Sequence, residues 1–408
     1  MEGNFADLKE LLSRTDRIKY LFTVAYFASY LTRTNFAAII SEIETETGYT
    51  KAALALCVTG LFFSYGFGQL ISGYLGDRIL PKSLVFAGLL SSSMCNLLMP
   101  LCGKPVLMAL LWTINGFFQA FLWPPIVLLL TILVDEKEYQ KAVMMVNSGG
   151  SVGSVCVYLL SPLLMAVYGW KSVFLFCGIL GMAVSFLWLF CCPSVRPTMI
   201  HNEIQGRTNI KGILTVEMIG ILVAIVIQGA LRDGISTWMP TNIEETFHLN
   251  GLLSVLSGAV LPLFSTVSFR VALYIHKKWF RNPVTCSAVL FFAAGITTVL
   301  LTIFSDVNAI LSVVLFTLVS GFMNGINLML VSLLPSYFVR TGSVSTISGM
   351  MNSCTYVGSA VVTYGIGTIV DQTGWELVTL IWCLAAIAGC LICLISSRTK
   401  WSREWIAS

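Results

Sequence analysis

Twelve apolar stretches, most of them about 20 residues or longer and divided by short polar breaks, constrain this chain more than any other feature. A helix of that length crosses a hydrocarbon core of roughly 30 Å while satisfying its own backbone polar groups. Read by their breaks, the spans fall at 18–41, 51–76, 82–101, 105–134, 140–168, 170–192, 213–243, 251–276, 282–304, 309–337, 342–372 and 374–396. Only 11% of residues are charged, against roughly 25% in soluble domains, and mean hydropathy is +0.84. Too few polar side chains exist to cover a water-facing surface. The expected fold is all-α integral membrane, and a soluble enzyme or nucleic-acid binder is excluded.

The twelve cysteines lie almost entirely inside apolar runs and read as small packing residues, the Cys390-x-x-Cys393 spacing included. His201, His248 and His276 stand far apart in or beside loops, so neither a metal centre nor a Ser/His/Asp arrangement is expected. No phosphate loop is visible, hence no cofactor and no ATP drive. The first span contains Arg33 and lacks a small-residue cleavage site, so it is read as retained rather than as a removed signal. Of the 24 Lys and Arg, 18 sort to the side of the termini, and only Lys51, Lys104 and Lys171 fall opposite. That asymmetry places both termini in the cytoplasm of a multi-pass cell-membrane protein.

Laid over itself at an offset of 205 residues, the chain repeats. Met145-Val146-Asn147-Ser148 with Gly153-Ser154 returns as Met350-Met351-Asn352-Ser353 with Gly358-Ser359, Gly169-Trp170 returns as Gly374-Trp375, and Gly116-Phe117 as Gly321-Phe322. A duplicated six-span bundle follows: an N-terminal bundle over 1–192, a cytoplasmic linker over 193–212 and a C-terminal bundle over 213–408, expected to work as a monomer. Two bundles joined by a polar strap are a transporter architecture, with the ligand expected near the midplane between them.

Charges deep in apolar spans carry the chemistry. Arg33 and Arg232 sit roughly 15 to 20 residues into their spans, where an arginine costs about 2.5 to 3.5 kcal/mol. On span 1, Tyr26, Tyr30 and Arg33 share a face, and on span 7 Gln228, Arg232 and Ser236 do likewise. Brought to about 10 Å at an effective dielectric near 20, two guanidinium groups repel by roughly 1.7 kcal/mol, which a bound anion removes. The guanidinium fork matches phosphate or carboxylate oxygens and stays charged at any cellular pH. A small anion is the expected ligand, with Asn147 on span 5 and Asn352 and Tyr356 on span 11 as further binding candidates. The structural alternative has both arginines bonding helix-end carbonyls or a local carboxylate. Asp233 is the adjacent acid, but on an ideal helix it points about 100° away, which suits capping a neighbour, lining the outer mouth or coupling protons. Arg270, within two turns of the basic cluster at 276–281, can snorkel. The stripes on span 4 (Trp112, Asn115, Gln119, Trp123) and span 10 (Ser320, Asn324, Asn327) read as interhelical hydrogen bonding.

The turn Gly73-Tyr74-Leu75-Gly76-Asp77-Arg78-Ile79-Leu80-Pro81-Lys82 resembles the loop between spans 2 and 3 of the major facilitator superfamily. The resemblance implies gating roles for Asp77, Arg78 and Lys82 as a cytoplasmic latch; the counterpart near 276–283 lacks the acid. Within that superfamily the chain is similar to the organophosphate:phosphate antiporters over nearly its whole length. Tyr30-Leu31-Thr32-Arg33-Thr34-Asn35-Phe36, Trp112-x-x-Asn115-Gly116-x-x-Gln119-x-x-x-Trp123-Pro124-Pro125 and Leu231-Arg232-Asp233-Gly234-x-x-x-Trp238-x-Pro240-Thr241 carry it. There, arginines at the positions of Arg33 and Arg232 clamp phosphate, one from each half. The chain departs where the exchangers place a lysine and a histidine, with Gln69 and Val146 instead.

The implied function is secondary active transport of a small organic anion, a phosphate ester first, with exchange for inorganic phosphate in question because two auxiliary cations are missing. The alternatives are a proton-coupled symporter of an organic monoanion or sugar, and a transporter-like organophosphate sensor. A membrane enzyme ranks third, for want of a nucleophile and base.

Overall fold

The structure is a computed structural model that describes residues 2–49, 51–195, 215–247, 251–304, 306–341 and 343–399, and among these residues it is almost wholly helical, without a strand. Span 1 is α1 (Glu2–Ala38) followed by a short α2 (Ile40–Thr47). Spans 2 and 3 are α3 (Lys51–Gly76) and α4 (Pro81–Leu98), the latter closed by a 3₁₀ turn at Met99–Leu101. Span 4 is divided into α5 (Pro105–Gln119) and α6 (Trp123–Leu133), and α7 (Glu136–Tyr168) and α8 (Lys171–Cys191) complete the first six spans. The second six are α9 (Val216–Phe247), α10 (Gly251–Lys278), α11 (Pro283–Phe304), α12 (Ala309–Asn327), α13 (Val344–Thr373) and α14 (Trp375–Ser397). Among the described residues, nine helical segments are long and apolar enough to cross a membrane. Each expected span is covered by one or two of these helices.

Spans 4 and 10 are interrupted well inside their length, and proline explains both. Pro124 and Pro125 restart span 4 as the first turn of α6, where missing N–H groups cost nothing. In span 10 the α-helix stops at Asn327, widens into a π-helix at Leu328–Leu333 and tightens into a 3₁₀ segment at Leu334–Thr341. Pro335 lacks the N–H for the i−4 bond, and in a regular α-helix its ring would clash with the carbonyl of Val331, so the turn before it opens.

By contacts the chain forms two compact units: Met1–Gln205 with Gly342–Gly349, and Gly206–Thr341 with Met350–Ser408. The start of α13 therefore clusters with the first unit, which a division at one linker does not anticipate. Of the expected linker only residues 193–195 are described, and the rest lies outside the described residues. The repeat carries a shared backbone signature. Gly169 after α7 has φ 70° and Gly374 after α13 has φ 77°, left-handed values that only glycine adopts freely.

Inside the first unit, Trp112 of α5 packs against Phe36 and Phe174 at ring-centroid distances of 5.3 and 5.7 Å. Beside them runs a buried polar network. Gln119 donates to Ser29 O, Thr32 Oγ1 and Ser92 Oγ, Asn115 donates to Thr32 O, and Asn96 links Thr32 O to Asn35. The span 4 stripe is thus spent on helix packing, because a polar group in an apolar interior must be hydrogen-bonded. This network fixes α1 around Thr32, next to Arg33.

Candidate functional site

In the first unit the side chains expected on one face of span 1 do meet. Tyr26 stands edge-on to Tyr30 at 5.2 Å and packs on Trp123 at 5.0 Å. The Arg33 guanidinium lies 4.1 Å from the Tyr30 ring centroid and 5.0 Å from that of Tyr65 on α3. Such contacts with ring faces are worth about 0.5 to 2 kcal/mol each, and they offset part of the cost of holding a cation at this depth. Glycines on α7 make room: a Cβ at Gly150 would come within 2.6 Å of the Tyr30 ring and one at Gly153 within 2.7 Å of Phe27 O. Asn147, one turn before Gly150, is partly buried and donates to Val143 O.

The second unit repeats the frame. A Cβ at Gly358 of α13 would overlap Val226 O of α9, the counterpart of Gly153 against Phe27 O. Gly358 stands 205 positions after Gly153, while Val226 stands 199 after Phe27, and Arg232 also stands 199 after Arg33. The two arginines therefore occupy equivalent places, six residues beyond the same interhelical contact. Their surroundings differ. Arg232 Nε donates to Asp233 Oδ1 at 2.7 Å and Arg232 Nη2 to Asp233 Oδ2 at 2.9 Å, with both side chains partly buried. The Ser359 hydroxyl on α13 donates to Asp233 Oδ2. Adjacent residues leave a helix about 100° apart, yet the three-carbon arginine stem reaches around to the carboxylate. The ideal-helix separation that set Asp233 aside understates this reach.

Gln228 is fully buried, donates to Met323 O at 3.0 Å and accepts from Asn327 Nδ2 at 3.5 Å, so it ties α9 to α12. Asn352 is buried and Tyr356 partly buried; with Ser359 they follow i, i+4, i+7 spacing on α13, the face that reaches Asp233. Tyr65 is a residue that the sequence reading gave no site role of its own, whereas Ser359 shares the helical face of the span 11 binding candidates Asn352 and Tyr356. Tyr65 precedes Gln69 by one turn, and Ser359 repeats Ser154, so both signals were present. Gln69, at the place where the resembled family keeps a lysine, is fully buried with neither amide atom hydrogen-bonded. Among the described residues no cluster of His, Cys, Asp or Glu is suited to a metal.

The turn that the resemblance reads as a latch meets the start of α13. Asp77 accepts from Ser345 N at 2.9 Å, Thr346 N at 2.8 Å and the Thr346 hydroxyl, capping the N-terminus of α13 inside the first unit. A Cβ at Gly73 would come within 2.7 Å of Ser345 O, so the glycine permits that approach. Burial pushes the Asp77 carboxyl from 3.8 up to about 6, against the pull of these hydrogen bonds and of Arg78. Arg78 lies 3.5 Å over the Tyr74 ring and donates to Tyr74 O. The Lys82 carbonyl accepts from Trp188 Nε1.

Residues 22–363 match the family model described as Major Facilitator Superfamily. The chain belongs to the major facilitator superfamily. It is an integral membrane protein of a transporter family, not an enzyme. The chain is 24% identical to the glycerol-3-phosphate transporter of Bacillus subtilis over 93% of its length and 90% of that protein's. It is 22% identical to a probable hexose phosphate transport protein of Chlamydia pneumoniae, covering 88% and 86%. With the membrane sensor protein UhpC of Escherichia coli it shares 21% over 93% and 92%. Among solved structures, the transporter FucP in its outward conformation aligns with TM-score 0.74 at 12% identity, covering 93% of this chain and 99% of that one. The proton:xylose symporter XylE aligns with TM-score 0.73 at 13% identity, covering 96% of each. These two structural likenesses show the fold.

Proposed function

We propose that this protein is a secondary transporter of a small organic anion, a phosphate ester first, acting by alternating access in the cell membrane with both termini cytoplasmic. The observation that carries the reading is the pair of arginines, deep in apolar helices and in equivalent positions of the repeat. Relatives named for glycerol-3-phosphate and hexose phosphate transport, matching most of the chain, support the phosphate ester. Both guanidinium groups act on the anion, with Tyr26, Tyr30, Asn147, Gln228, Asn352 and Tyr356 shaping the surroundings. Asp77, Arg78 and Lys82 serve the gate. The working unit is a monomer built of an N-terminal bundle, a linker and a C-terminal bundle.

The test is uptake of labelled inorganic phosphate, glycerol-3-phosphate and glucose-6-phosphate into phosphate-loaded proteoliposomes. Parent protein transports at least one of them, and Arg33→Gln and Arg232→Gln each abolish it. A transporter-shaped sensor is the second reading, favoured by the likeness to the membrane sensor protein. It predicts saturable binding of the same anions with no uptake, a result that would replace the first reading.

A further inference from the structure

We propose that Asp233 is a built-in counter-ion which lets this carrier return without an anion, so that it performs net transport rather than obligatory exchange. The proposal rests on the anion-transporter reading above. A carrier whose binding cations lack an internal partner must carry them uncompensated through a dehydrated intermediate on every return without substrate. Leaving one charge of a buried pair unmatched is strongly destabilising, so such a carrier reorients only when loaded, and that is obligatory exchange.

Arg232 is not in that position. Its Nε and Nη2 donate to the two oxygens of Asp233 on the same helix, so cation and anion travel together however α9 moves. Ser359 on α13 gives Oδ2 a further donor, so that oxygen keeps a partner when an arriving anion takes the guanidinium donors. The first unit shows that the frame does not demand an acid here. Thr34, the counterpart of Asp233 at the same offset of 199, uses its hydroxyl on Tyr30 O at 2.8 Å, while ring faces back Arg33. Arg232 therefore carries its own compensation.

The experiment compares two rates in proteoliposomes, with the membrane potential clamped by potassium and valinomycin. Exchange is uptake of labelled glycerol-3-phosphate, or of inorganic phosphate where that is the better substrate, against internal phosphate. Net transport is the same uptake against internal gluconate. Parent protein shows both. Asp233→Asn lowers the ratio of net transport to exchange at least about tenfold, and Asp233→Glu, which keeps a carboxylate, returns the ratio to within about threefold of the parent. A parent that exchanges without net transport overturns the proposal, as does an Asp233→Asn protein with the parental ratio. Parental rates in either Arg33→Gln or Arg232→Gln overturn the anion-site reading itself, and the counter-ion proposal with it.

Discussion

Six residues beyond the point where a glycine lets two helices touch, each unit carries an arginine, and there the likeness between the units ends. In the first, Tyr30 fills the space over Gly150 and Arg33 is held against ring faces. In the second, the bulk changes sides: Gly229 stands where Tyr30 does, and Thr355 where Gly150 does, with the Thr355 backbone pressed onto the glycine. There Arg232 meets a carboxylate. The duplication thus keeps a backbone contact and the place of a cation while each unit solves the cost of that cation differently, by polarisable faces in one and by an ion pair in the other.

The largest expected effect tests the shared frame. Gly153→Val and Gly358→Val each push a side chain into a carbonyl oxygen, which overpacks the helix pair by upward of about 3 kcal/mol. Both variants are expected to lose monodisperse protein on size-exclusion chromatography to a similar degree. If one tolerates valine and the other does not, the two contacts are not equivalent. A smaller effect tests the difference between the units. Thr34→Asp places an acid at the counterpart of Asp233, and the new carboxylate is expected to compete with the anion for Arg33, lowering phosphate-ester affinity about tenfold, or 1.4 kcal/mol. Unchanged or tighter binding by isothermal titration would show that an acid at this position does not compete with the anion for the first arginine.

The smallest effect concerns Asp77, which only the first unit possesses. Its carboxyl is raised to about 6 from 3.8, so the packed arrangement holds a proton that the separated segments release. By linkage this contribution is largest below pH 4 and is lost as the pH rises through about 6. Amide exchange at Ser345 and Thr346, normalised for intrinsic rates, should show protection falling between pH 4 and 7 in the parent. In Asp77→Asn the protection should be flat; a parental pH profile in that variant would remove Asp77 as the titrating group.

The span pattern was legible because lipid demands long apolar helices, and α3, α4, α7, α8 and α11 follow their expected bounds within a few residues. The breaks at Pro124 and in span 10 were also written in the chain, but a hydropathy reading smooths over a proline inside an apolar run. The arginines were legible as charges at depth. Their partners were not, since Tyr65 joins Arg33 from another helix and Ser359 reaches Asp233 from another. The Arg232 and Asp233 pair defeated the ideal-helix angle because side-chain reach, not Cβ direction, decides whether neighbours meet. Gln228 shows the converse: its helical face is shared with Arg232, yet its amide is taken up by α12.

The most direct test of the central claim, that equivalent arginines of the two units act on one anion, is a double-mutant cycle on binding of labelled glycerol-3-phosphate or inorganic phosphate by the purified protein. Arg33→Gln and Arg232→Gln are each expected to weaken binding by about a hundredfold or more, with the double variant little worse than either, because groups that serve one ligand are not additive. Parental affinity in either single variant, or losses that simply multiply in the double, would contradict the account.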